Sequence, residues 1–139
     1  MTDQTFKFAT KDDRLWYYRA KVLRIVDGDT AEILLDRGMH EFAVLKVRLA
    51  GIDAPEKRPR VGTDAQKTEE KRLAALSSSR LEELVGGKEI LIRTSKAGKF
   101  GRYLAYLYLP DDETKTANQV LLDEGHAVVY GEPRPWRDE

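Results

Sequence analysis

A β-rich α+β domain, of the kind a small five-stranded OB-type barrel with two or so helices provides, is what this sequence predicts. Three observations support that prediction. Short segments rich in Val, Ile, Leu and aromatic residues recur between Gly and Asp turn signals, which is strand patterning. One long and one short stretch free of Gly and Pro, each with a capping residue ahead of it, read as helices. The order of these segments, three strands, a helix, two strands and a helix, suits such a barrel. At 139 residues the chain has the length of one domain. A domain of that size buries about two thirds of its unfolded surface around a single core.

Residues 1–14 are polar with scattered apolar positions and are expected to form a loosely attached extension to a domain spanning 15–131. The first strand is expected from Trp16 to Val26, with Trp16, Tyr17 and Tyr18 packing on the barrel. Asp27-Gly28 makes a turn, in which Asp27 reads as an Asx-turn residue, and Thr30 to Leu35 is a second strand. Asp36-Arg37-Gly38 signals a hairpin into a third strand, Phe42 to Leu49. Gly62-Thr63-Asp64 offers a helix N-cap, and the helix should run to Val85, where Gly86-Gly87 stops it. Its apolar face is expected at Leu73, Leu76, Leu81 and Leu84, with Ala65 and Ala74. The run Ser77-Ser78-Ser79 is a poor helix interior and predicts a frayed or kinked region. Lys88 to Thr94 and Tyr103 to Leu109 read as strands four and five. Thr116 caps a short helix through Glu124, stopped by Gly125. A short tail at 132–139 ends the chain.

Composition narrows the chemistry. Apolar residues make up 41% and charged residues 35%, the balance of a soluble globular chain. No apolar run approaches the roughly 20 residues that span a bilayer, so no membrane partner is expected. Without cysteine, neither a disulfide framework nor a zinc–thiolate site can form. His40 and His126 lie far apart, which favours a hard-cation oxygen site over an imidazole site. The first residues lack a basic region followed by an apolar stretch, so no signal peptide is read there and a cytoplasmic location is expected. Lys and Arg number 24 against 24 Asp and Glu, and zero net charge is not the usual footprint of a tight non-specific DNA binder. Distribution matters more: Arg93, Lys96, Lys99 and Arg102 form a stretch with no acidic residue, and Lys57, Arg58 and Arg60 form another.

Both basic stretches flank three charged turns: Asp27-Gly28-Asp29-Thr30, Arg48-Leu49-Ala50-Gly51-Ile52-Asp53-Ala54-Pro55-Glu56, and Lys99-Phe100-Gly101-Arg102. Each begins where an apolar run stops, so its side chains should project from strand ends. Together they supply what a metal-assisted attack on a phosphodiester requires. Asp29 and Asp53 can hold a hard divalent cation. A further carboxylate can orient or deprotonate a water. Arg48 and Arg102 can bind and neutralise phosphate with planar forks.

In this order and spacing the three clusters resemble the staphylococcal nuclease family, over about residues 17 to 130. The resemblance implies the barrel fold and a calcium-dependent endonuclease acting on single-stranded DNA, double-stranded DNA and RNA with little sequence specificity. It implies Ca²⁺ on Asp29, Asp53 and the Ala54 carbonyl, with Mg²⁺ or Mn²⁺ as alternatives of similar ligand chemistry. It implies Glu56 as general base, Arg48 and Arg102 on the reactive phosphate, and loss of the 5′-oxygen to leave 3′-phosphate ends. Lys99, Phe100 and Tyr130 would contact the nucleotide. Three departures stand out: Ala54 replaces a threonine, Phe100 replaces the usual tyrosine, and the tail is too short and proline-rich for the family's last helix. The surface that helix covers would be capped by the N-terminal extension, by Trp136 or by a second subunit. The alternative class is a non-catalytic nucleic-acid-binding or scaffold module on the same barrel.

Overall fold

A computed structural model of the chain describes residues 16–97 and 103–137. Strands β1 (Tyr17–Asp27), β2 (Thr30–Asp36) and β3 (Phe42–Leu49) form an antiparallel meander. Two-residue β4 (Ile52–Asp53) follows, then helix α1 (Asp64–Val85). Strands β5 (Glu89–Ala97), β6 (Tyr103–Leu109) and β7 (Asp112–Thr116) lead into α2 (Ala117–Asp123) and the short β8 (Val128–Val129). Strand order is β3-β2-β1-β5-β6-β7, and a parallel pairing of β3 with β6 closes β1, β2, β3, β5 and β6 into a five-stranded barrel. The fold is thus the OB-type α+β barrel expected from the sequence, with β4 and β8 pairing as a small second sheet.

Closure follows from the inward alternation of the strands. Val22, Ile33, Val47, Leu49, Ile90, Ile92 and Leu107 are all buried, and Leu81, Val85 and Leu121 cover the barrel from the helices. Asn118 of α2 is buried at the seam: its amide donates to the carbonyls of Ala50 and Ala105, and its oxygen accepts from the Leu107 N–H. Every polar atom of that side chain is therefore satisfied, which a buried amide requires.

Helix α1 begins at a capping box between Thr63 and Gln66, as the Thr63 signal predicted. Its interior differs from expectation. The buried face is Glu70, Ala74, Ser77, Ser78, Leu81 and Val85, while Ala65 and Leu76 are exposed. The serines do not fray the helix; they let it approach the barrel closely. A Cβ on Gly28 would meet the Ser77 Cβ at 2.6 Å and the Ala54 Cβ at 3.0 Å, so Gly28 is required by contact. The Ser77 hydroxyl donates to the His126 carbonyl at 2.5 Å, which ties α1 to the segment before β8. Trp16, expected to pack on the barrel, is exposed on one side, with Tyr17 tilted against Tyr108 beside it.

Candidate active site

The site is assembled at one end of the barrel by strand register. Thr30 pairs with Arg48 across β2 and β3, so Asp29, one residue earlier, lies beside Arg48. The Leu49 N–H donates to the Asp29 carbonyl at 2.7 Å and fixes that neighbourhood. A turn at Gly51, whose φ of 79° suits glycine, then reverses the chain and returns Asp53 to the same place. Pairing of Asp53 with Val128 and donation from the Tyr130 N–H to the Gly51 carbonyl hold this second approach.

Arg48 is where the two acidic turns meet. One nitrogen, Nη2, makes a short contact with Asp53 Oδ1 and lies 3.4 Å from Asp29 Oδ2. Asp29 is buried, and its carboxylate also accepts from the Ala54 N–H at 3.0 Å and the Thr30 hydroxyl at 3.1 Å. Burial pushes the Asp29 carboxyl above its ordinary range despite the pull of Arg48 and these two donors, with Asp53 adding to the rise. Asp27 is raised as well, by burial first and by the charge of Asp29 second. Its Oδ1 reaches across to the Lys57 N–H at 3.5 Å, not back into a local Asx turn.

Glu56 leaves the same turn two residues after the buried Ala54 and is half exposed. Asp27, Asp29, Arg48, Asp53, Ala54, Glu56 and Tyr130 all line one open cleft of about 1040 Å³. Its rim carries Arg24, Lys57, Arg58, Arg60 and Arg134, a basic margin around an acidic floor. The Arg48 guanidinium carbon stands 5.7 Å from the centre of the Tyr130 ring. Lys99, Phe100 and Arg102 lie outside the described residues.

The donor set suits a hard cation. Asp29 and Asp53 already converge on a single positive nitrogen, so both can share one charge, and their oxygens are the ligands such an ion prefers. Among the described residues no three acidic, histidine or cysteine side chains converge in that way. An ion here would rest on the two carboxylates and water.

Two residues of the neighbourhood carried no signal in the sequence. Glu70 of α1 is wholly buried; its Oε2 accepts from the Glu56 N–H at 2.8 Å. Arg137 grips both oxygens of Glu70, Nε to Oε1 at 3.0 Å and Nη2 to Oε2 at 2.9 Å. The tail that carries it packs Trp136 into the protein.

Barrel and cleft together define an OB-type domain with a charged, open groove at its strand ends. The chain belongs to the staphylococcal nuclease homologue family, whose model matches residues 46–139. It is 29% identical over 119 residues to a micrococcal nuclease of Shigella flexneri, covering 81% of this chain and 59% of that protein. It is 31% identical over 110 residues to an uncharacterized endonuclease of Escherichia coli O157:H7, covering 79% and 60%. A further relative, Protein ParB of Escherichia coli, is 27% identical over 118 residues, covering 81% and 57%. The chain therefore spans less than two thirds of the length of each of these relatives.

Proposed function

We propose that the chain is a nuclease that hydrolyses phosphodiester bonds in DNA and RNA with Ca²⁺ as its metal. The observation that carries this reading is the convergence of Asp29 and Asp53 on Arg48, with Glu56 on the same open cleft. Family membership and relatives named as nucleases support it. Asp29, Asp53 and the Ala54 carbonyl would hold the cation, which when bound supplies positive charge against the phosphate.

Within that reading Glu56 takes a proton from a water as its oxygen bonds to phosphorus. The bond from phosphorus to the 5′-oxygen breaks, its electron pair leaves on that oxygen, and a proton from solvent completes the 5′-hydroxyl. A 3′-phosphate end remains. Negative charge grows on the phosphoryl oxygens as the transition state forms. Arg48, held by Asp53, Asp29 and the Ile52 carbonyl and with five donors in its fork, would meet that charge. Arg102 would be its partner on the phosphate, and Lys99, Phe100 and Tyr130 would hold the nucleotide. No group in this set reads base edges in a defined pattern, so low sequence specificity follows.

Digestion of single-stranded DNA with Ca²⁺, with Mg²⁺ and with chelator tests the proposal. Cleavage is expected with Ca²⁺ and absent in chelator. Cleavage by metal-stripped protein in chelator would overturn the metal mechanism. Binding without cleavage under every condition would turn the reading toward a non-catalytic binding module.

A further inference from the structure

Glu56 stands at the start of an exposed segment, residues 56–63, that leads into α1. A carboxylate on such a segment samples many orientations unless something behind it holds it. Pro55 restricts only the backbone immediately before it. The support lies in the α1–tail contact. Glu70 accepts the Glu56 backbone N–H, while Arg137 Nη2 lies 2.9 Å from Glu70 Oε2 and 3.2 Å from Glu56 Oε2. One guanidinium thus touches both the carboxylate that holds the Glu56 backbone and the Glu56 side chain itself. The Glu70 side chain is fully buried and that of Arg137 is 8% exposed.

A buried ion pair is a poor way to gain stability, since apolar residues of similar volume serve as well or better. It does fix registry between elements, and here the elements are the helix, the tail and the Glu56 turn. We propose that Arg137 and Glu70 are positioning residues, a clamp by which the C-terminal tail sets the direction of the Glu56 carboxylate; this rests on the reading of Glu56 as general base. The clamp engages one Glu56 oxygen through Arg137 and the Glu56 backbone through Glu70, so backbone and side chain are fixed from the same side.

The test compares Arg137→Met in the full chain and in a Glu56→Gln background, with single-stranded DNA and Ca²⁺. Misplacing a reacting group by about 1 Å costs up to roughly 100-fold, so Arg137→Met is expected to lower kcat by about 10- to 100-fold. KM should stay within about threefold, since a positioning defect acts on the transition state and not on ground-state binding. In the Glu56→Gln background the same change should have almost no further effect on kcat. Amide exchange supplies a second readout: the Glu56 N–H should exchange faster in Arg137→Met while the amides of α1 stay protected. If Arg137→Met does not fold, Arg137→Lys repeats the comparison, because it keeps the charge against Glu70 and lacks the fork that reaches both carboxylates. Equal losses in both backgrounds would show that Arg137 acts independently of Glu56 and would overturn the clamp. A wild-type kcat in Arg137→Met beside an inactive Glu56→Gln would also overturn it and leave the base standing. Full activity in Glu56→Gln alone would remove the base and the clamp with it.

Discussion

Asp29 and Glu70 are both buried carboxylates held by an arginine, and the protein treats them in opposite ways. Glu70 is compensated at both oxygens: a bidentate guanidinium at 2.9 and 3.0 Å, which also reaches Glu56 Oε2 at 3.2 Å, and a backbone N–H at 2.8 Å. Asp29 shares Arg48 with Asp53, sits 3.4 Å from it, and stands near the further negative charge of Asp27. Its carboxyl is raised because burial outweighs the donors it has. The difference marks two uses of a buried charge. Glu70 is matched by the fold, and its partner comes from the tail. Asp29 is less fully matched at the floor of an open cleft, and under the proposed calcium reading a bound cation would supply the missing charge.

The sharpest way to break this comparison is to remove each carboxylate in turn. Glu70→Ala leaves Arg137 buried against Glu56 alone and should cost about 3–5 kcal/mol, the usual loss when one partner of a buried pair is deleted. Denaturant unfolding at neutral pH measures it. A loss within the range of an ordinary surface substitution would show that Glu70 is not the anchor its contacts suggest.

Asp29→Asn should move stability in the other direction when chelator is present. A carboxyl whose folded pKa lies above its unfolded value destabilises the fold at pH above the folded pKa, and the penalty fades as pH falls through it. Asparagine carries no charge and still offers an oxygen to the Ala54 N–H. The metal-free variant should therefore melt higher than the metal-free wild type at pH 7, with the gap narrowing in acid, while cleavage is lost. Ca²⁺ should raise the wild-type melting temperature, since a ligand at 100 times its Kd adds about 2.7 kcal/mol by mass action. The variant should show little of that rise. An Asp29→Asn protein that melts lower in chelator, as Glu70→Ala is expected to, would erase the distinction between the two carboxylates.

The same pair shows what a reader of the sequence can and cannot see. Asp29 lies in Asp27-Gly28-Asp29-Thr30, where a strand stops at a turn, so its type, position and neighbours are all local facts. Strand β3 and the bounds of α1 were legible for the same reason: apolar alternation, a Thr63 cap and a Gly86 stop are signals within a few residues. Glu70 lies within Glu69-Glu70-Lys71-Arg72, which reads as a solvated helical face. Its partner, Arg137, lies 67 positions away. Strand β7, Asp112–Thr116, is polar throughout and exists because β6 offers it an edge. The two-residue β4 and β8 are too short for any periodicity, yet their pairing is what returns Asp53 to Arg48. Contacts of that kind are made by the closed barrel and leave no pattern in the chain.

The smallest expected effect on the fold is at Tyr130, and it separates two uses of an aromatic ring beside Arg48. The ring is 61% exposed and its centre lies 5.7 Å from the guanidinium carbon, so the attraction is that of a solvated cation–π pair. Such a pair contributes about 0.5–1 kcal/mol, and Tyr130→Ala should lower the unfolding free energy by no more than that. If the ring stacks on a base of the bound strand, substrate affinity should suffer more than stability, because base–aromatic stacking contributes about 1–3 kcal/mol. Tyr130→Ala would then raise KM for single-stranded DNA by roughly 5- to 150-fold with kcat little changed. Tyr130→Phe, which keeps the π face, should match wild type in both. If the ring serves chiefly to hold Arg48, the order reverses: kcat falls with the looser guanidinium, KM stays, and affinity for a short non-cleavable strand is unaltered. Steady-state kinetics on the three proteins, beside a direct binding measurement with that strand, decide between stacking and support, and an unchanged KM in Tyr130→Ala would withdraw Tyr130 from the nucleic-acid contact.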